Sequence, residues 1–129
     1  MKRYVFIVLI IFSQLALTGE ELTGNPERKR SNSEAFTEIV YKKFEKILEF
    51  ISESKYQEAK IDIDMLMQKR LNDYEKAHIH QYLGWIAAAE ENYSEAAKNY
   101  EIAIASDALT NHSHFSAMLQ LAQVYMVMG

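Results

Sequence analysis

The chain has 129 residues, of which 49% are hydrophobic, enough for one domain with its own core. It contains no cysteine, one proline and four glycines. That excludes a disulfide framework, a thiolate zinc site and a cysteine nucleophile, and it leaves little turn chemistry for hairpins, so helix is favoured. The formal net charge of −4 argues against nucleic acid, whose phosphates require a basic footprint.

Residues 1–19 read as an export signal. "MKR" is a basic start, "YVFIVLIIFSQLAL" an apolar run, and "TGEE" brings small residues and acid. The run is short of the roughly 20 residues a spanning helix needs. Cleavage is expected near residues 18–20, flanked by Ala16 and Thr18 or by Leu17 and Gly19, and the product would be periplasmic. The alternative is an uncleaved anchor in the inner membrane, the one membrane contact expected. Without Lys2 and Arg3, 12 bases face 18 acids, a net −6.

Residues 20–32 are polar and read as a linker. Its basic run, "ERKR" at 27–30, is a solvated tether or, alternatively, a contact with anionic headgroups. Ser31 with Glu34 has the form of a capping box, so the helical domain, 33–129, should begin there.

Five helices are expected in that domain. Val40, Phe44, Ile47, Leu48 and Ile51 recur with helical period, and "SESK" interrupts them. Tyr56, Ala59, Ile63 and Leu66 mark a second helix, ended by "RLND". Asn72 with Glu75 offers another capping box. A third helix is expected over roughly 74–90 and a fourth over roughly 94–106, joined by "EENY". After "SDALTNHS" a fifth starts near 112–114 and runs to the end. Short connections make consecutive helices antiparallel neighbours.

A repeat links these helices. "YQEA" at 56–59 returns as "YSEA" at 93–96, 37 residues on. Helix pairs that bury one face need small residues where they touch. Gly84 and Ala96 fit that need on facing helices, and Ala103 would admit the next unit. Tyr93 and Tyr100 would fill the gaps between layers, beside Leu83. Ala88 is expected on the opposite, open side.

The residues Ala77, Leu83, Gly84, Tyr93, Ala96, Tyr100 and Ala103 resemble the tetratricopeptide repeat, a helix–turn–helix unit of 34 residues. Ala87 and Ala108 depart from that pattern. The best repeat spans 77–110, with partial repeats at 40–73 and 115–129. Further, "VYKKFEKILEFI", "LNDYEKAHIHQYLGW", "ENYSEAAKNYE" and "LAQVY" are similar to the N-terminal part of exported tetratricopeptide proteins encoded beside TonB–ExbB–ExbD systems of Gram-negative bacteria. The resemblance implies an all-α, right-handed superhelix of antiparallel helix pairs. It also implies a non-enzymatic periplasmic scaffold that binds a protein or peptide, with TonB-system components as candidates. The alternative is a truncated member with only a structural role. In this family the concave groove binds peptides, which would place His78, Gln81, Tyr82 and Trp85 there. Trp85 lying against the adjacent helix pair is the equal alternative.

Other chemistry is weak. His78 and His80 lie two apart and point about 200° apart on a helix, so they cannot share an ion. "HSH" at 112–114 adds a second pair, but no metal site is expected. Glu90–Glu91 and Asp62/Asp64 read as solvated faces rather than catalytic pairs. No catalytic residue and no cofactor is expected. The last helix carries Leu119, Val124, Met126, Val127 and Met128 over more than one face, so self-association through 115–129 is expected.

Overall fold

A computed structural model describes residues 35–129. The expected signal, the linker and the Ser31–Glu34 box lie outside them. Among the described residues there are five helices and no strand: α1 Glu38–Ser52, α2 Tyr56–Met67, α3 Asp73–Ala89, α4 Tyr93–Ala105 and α5 Asn111–Met128. The fold is all-α. No helix among the described residues is long and apolar enough to cross a membrane.

The helix starts follow local chemistry. Asn72 accepts the Glu75 amide and Glu75 returns a carboxylate to the Asn72 amide, a complete capping box at α3. Asn92 caps α4 through the Glu95 amide, and Thr110 caps α5 through the Ser113 amide. The first helix starts later than its sequence suggested. Residues 35–37 are not helical, and α1 opens at Glu38.

That delay has a tertiary cause. Glu75 is 1% exposed, and its carboxylate accepts both the Thr37 amide at 2.8 Å and the Thr37 hydroxyl at 2.9 Å. Asn72 donates to the Ala35 carbonyl at 2.8 Å. The capping box of α3 therefore also fastens the strand of chain entering α1. A buried carboxylate needs several donors, and three of its bonds come from Thr37 and Asn72.

The helix ends repeat. Ser54 and Glu91, 37 apart in sequence, both have positive φ, 59° and 60°. At the first turn the Ser54 amide reaches the Ile51 carbonyl and the Lys55 amide the Phe50 carbonyl; at the second, Glu91 reaches Ala88 and Asn92 reaches Ala87. Both are Schellman closures, with a left-handed residue satisfying the last carbonyls of the helix. Each is followed at once by a tyrosine, Tyr56 or Tyr93, that opens the next helix.

These turns fold the chain into two hairpins, α1–α2 and α3–α4, with α5 packed antiparallel on α4. The hairpins stand side by side with α1 and α3 running the same way. Phe36 meets Tyr74 with ring centroids 4.8 Å apart, and Phe44 meets Tyr82 at 5.4 Å; both contacts join residues 38 apart in sequence. One core, built on Phe44, Ile47, Ile51, Ile63, Leu66 and Ile79, joins the hairpins. Two smaller ones, rich in alanine, hold α3, α4 and α5 together.

Candidate functional site

The packing residues expected from the sequence lie together. Ala96, Tyr100 and Ala103 are fully buried. A Cβ on Gly84 would stand 2.7 Å from Tyr100 Cε1 and 2.8 Å from Cδ1. The glycine is thus required by a ring that lies flat on the α3 backbone. Leu83 and Tyr93 are half-buried beside these clusters. Ala88 is not on an open side: it is fully buried with Ala96 and Tyr100. The α3–α4 contact is wider than a single small-residue stripe, so Ala88 joins it.

The four residues expected to share a groove do not present equally. His78 is only 7% exposed and stands in a nest of rings. Its centroid is 4.5 Å from Tyr74, 5.0 Å from Phe36, 5.9 Å from Tyr82 and 6.3 Å from Phe44. His78 therefore does not line an open groove, contrary to the expectation from its spacing. Phe36, brought in by the Thr37–Glu75 bonds, covers it. Burial lowers the His78 pKa to about 4, since it strips water from the charged ring. Tyr82 is half-buried against Phe44 and His78, and burial, then Tyr74, pushes its phenol up to about 12. Trp85 is half-buried against the core shared by the two hairpins, the adjacent-pair placement. Gln81 reaches across to the Ser113 carbonyl of α5 at 3.5 Å. Gln81, Tyr82 and Trp85 keep part of their surface open along α3.

The histidines diverge as helical geometry requires. His80 turns to α4, where its Nδ1 is 3.0 Å from Asn99 Oδ1. Asn99 in turn donates to the Glu95 carbonyl at 2.9 Å and the Glu95 carboxylate at 3.2 Å. Among the described residues no three His, Asp or Glu side chains gather as a metal set.

A cleft of about 440 Å³ opens elsewhere, lined by Lys60 of α2, Leu83, Ile86 and Ala87 of α3, Glu90 and Asn92 of the turn, and Glu95 and Asn99 of α4. Lys60 bridges Glu90 at 2.8 and 3.1 Å across its edge. Sequence reasoning missed this place because its walls come from three helices. Glu90, expected on a solvated face, ties α2 to the α3–α4 turn. Asp62 is likewise turned inward, 3.4 Å from Lys46 Nζ, while Asp64 stays exposed. Only the i, i+4 neighbours of Asp62 were legible in the chain, and Lys46 is on another helix.

Compared with protein-family models, with curated proteins and with solved structures, the chain finds no match.

Proposed function

We infer that this chain is a tetratricopeptide-like scaffold that holds a protein or peptide partner and carries out no chemistry itself. The observation that carries the reading is the stacking of two like hairpins. Their turns close in the same way 37 residues apart, and their first helices lie side by side in one direction. Stacked hairpins form a stiff surface, and a stiff surface loses little entropy when a partner binds. The right-handed superhelical course of such a stack belongs to this reading.

The partner surface is the open part of α3, with Trp85 as the aromatic anchor and Gln81 and Tyr82 beside it. Export to the periplasm and service to a TonB–ExbB–ExbD system come from the resemblance of "LNDYEKAHIHQYLGW" and "ENYSEAAKNYE" to the exported proteins. Trp85 is the one tryptophan of the chain, so its emission reports its own surroundings.

The test adds the soluble periplasmic domain of TonB or of ExbD to the full chain and follows Trp85 emission and binding heat. Saturable binding that shifts the emission is expected. It should weaken at least ~10-fold, about 1.4 kcal/mol, in Gln81→Ala, and stay unchanged in Leu83→Lys, which lies in the cleft instead. Binding lost only in Leu83→Lys would move the site to the cleft. No binding by either domain would remove the TonB assignment.

A further inference from the structure

Helix α5 differs from the others in having no charged residue: Asn111–Met128 contains no Asp, Glu, Lys or Arg. Its inner face is Ala117, Gln120 and Val124, all buried, the first and last within the alanine-rich cores shared with α3 and α4. At about 100° per residue the opposite face is Phe115, Met118, Leu119, Ala122 and Met126. Every one of those five is apolar. Met126 is 81% exposed and Met118 46%. Outer faces on the other helices carry charge, as Lys42, Glu45 and Glu49 do on α1 and Glu95, Lys98 and Glu101 on α4.

We propose that this outer face of α5 is a dimer interface, on which α5 of a second copy of the chain packs antiparallel about a two-fold axis at Ala122. Four features select a second copy. First, a helix without charge meets an identical helix with no like charges to bring together. Second, antiparallel packing sets opposite ends of the two helix dipoles beside each other. Third, the stripe is nearly self-complementary: Met118 and Met126 each stand four residues from Ala122, so each faces the other type across the axis, as an isologous contact requires. Fourth, Ala122 is the small residue at the centre, which lets the axes approach closely. Gly84, Ala88 and Ala96 have that role between α3 and α4. The dimer also continues the internal series, in which α3, α4 and α5 already pack antiparallel in turn.

The seam is one helix of 18 residues, about 27 Å long. That is small beside a standard interface of about 800 Å² per partner, so the dimer is concentration-dependent. The inference stands apart from the partner surface on α3 and does not depend on it.

The test begins with sedimentation velocity on the full chain. A monomer–dimer exchange with half-dimer at about 10–100 µM is expected, and Met126→Glu should weaken it at least ~10-fold. Both helicity and thermal midpoint should be kept, since Met126 is exposed. Because the chain has no cysteine, a single one reports geometry. Ala122→Cys should oxidise to a disulfide dimer, at least ~10-fold faster than Lys42→Cys on α1. When Met118→Cys and Met126→Cys chains are mixed, the mixed disulfide should exceed both like pairs. Three results overturn the proposal. A chain that stays monomeric to about 500 µM leaves the face to some other occupant. Association that survives Met126→Glu comes from another part of the chain, such as residues 4–17. Like pairs of Met118→Cys outnumbering the mixed species would mean a parallel arrangement.

Discussion

The two hairpins solve one packing problem in opposite ways. Where α1 and α2 meet, Ile47 and Ile63 share the contact with Ile51, Ala59 and Leu66. The residues 37 further on are Gly84, Tyr100, Ala88, Ala96 and Ala103, and they too are buried. Two branched aliphatics in the first hairpin are replaced by nothing and a ring in the second. Within that pair the volume is redistributed, the kind of exchange that cores tolerate best, but Ile51 and Leu66 give way to Ala88 and Ala103, so the second contact is filled by smaller side chains. What stays the same in both hairpins is the alanine after the turn, Ala59 or Ala96, and the left-handed residue in the turn. The backbone path is set by these, while the filling is free to vary.

The largest test of this equivalence is a cycle at Gly84 and Tyr100. Gly84→Ile should cost about 3 kcal/mol, because the added atoms have only the Tyr100 ring to enter. Gly84→Ile with Tyr100→Ile restores the first hairpin's pair. It should recover at least about 1 kcal/mol relative to the sum of the single changes. Denaturant unfolding measures all four chains, and strictly additive costs would break the correspondence.

Next comes the join between hairpins. Glu75→Ala leaves the Thr37 amide and hydroxyl and the Asn72 amide without their acceptor, and should cost about 2 kcal/mol. It should also free Phe36, seen as faster hydrogen exchange at Thr37. Lys60→Ala, which removes only the half-exposed bridge to Glu90, should cost less than about 1 kcal/mol. Equal costs would mean that residues 35–37 contribute nothing to the join.

His78 makes the join sensitive to pH. Its pKa falls from the ordinary 6.5 to about 4 on folding, so between those values the unfolded chain binds the extra proton. Stability from this group is complete above pH 6.5 and is lost as pH falls toward 4, by up to about 1.4 kcal/mol per pH unit. The rings around it carry no charge in that range. Thermal unfolding at pH 7 and pH 5.5 should therefore differ by about 1.4 kcal/mol more in the native chain than in His78→Phe. A slope unchanged by His78→Phe would place the sensitivity elsewhere.

Within the second hairpin, the Tyr100 hydroxyl is buried with no hydrogen-bond partner among the described residues, a cost its Ile63 counterpart does not have. Tyr100→Phe should raise stability by about 1 kcal/mol, and a loss of that size would reveal a partner for the hydroxyl. The smallest effect concerns what the hairpins share. Ser54→Gly and Glu91→Gly both relieve a side chain in left-handed backbone, and each should stabilise by about 0.5 kcal/mol. Unequal responses would mean that the two turns are not alike in energy.

Several of these features could be seen in the chain beforehand. "SESK" and "EENY" marked both hairpin turns, and the "YQEA" and "YSEA" echo marked their repetition. The Asn72–Glu75 box located α3, and the small residues Gly84 and Ala96 marked the α3–α4 crossing, although the atom group that lies against Gly84 is the Tyr100 ring. Local chemistry governs each of these: caps act within one turn of helix, and small residues at crossings leave a periodic mark. His78 was legible as a helical position but not as a buried one. A helical wheel cannot know that Phe36, from outside the helix, will lie over it.

By itself the sequence determined the five helices of the described residues and their order, because capping and periodicity are decided by residues a few positions apart. It also determined that one hairpin repeats the other. The tertiary structure alone decided which faces stayed open. It drew Phe36 over His78, turned Asp62 toward Lys46, assigned the Glu75 carboxylate to a second helix, and left the Met118–Ala122–Met126 stripe uncovered. Burial depends on what arrives from distant parts of the chain, and no local pattern records that arrival.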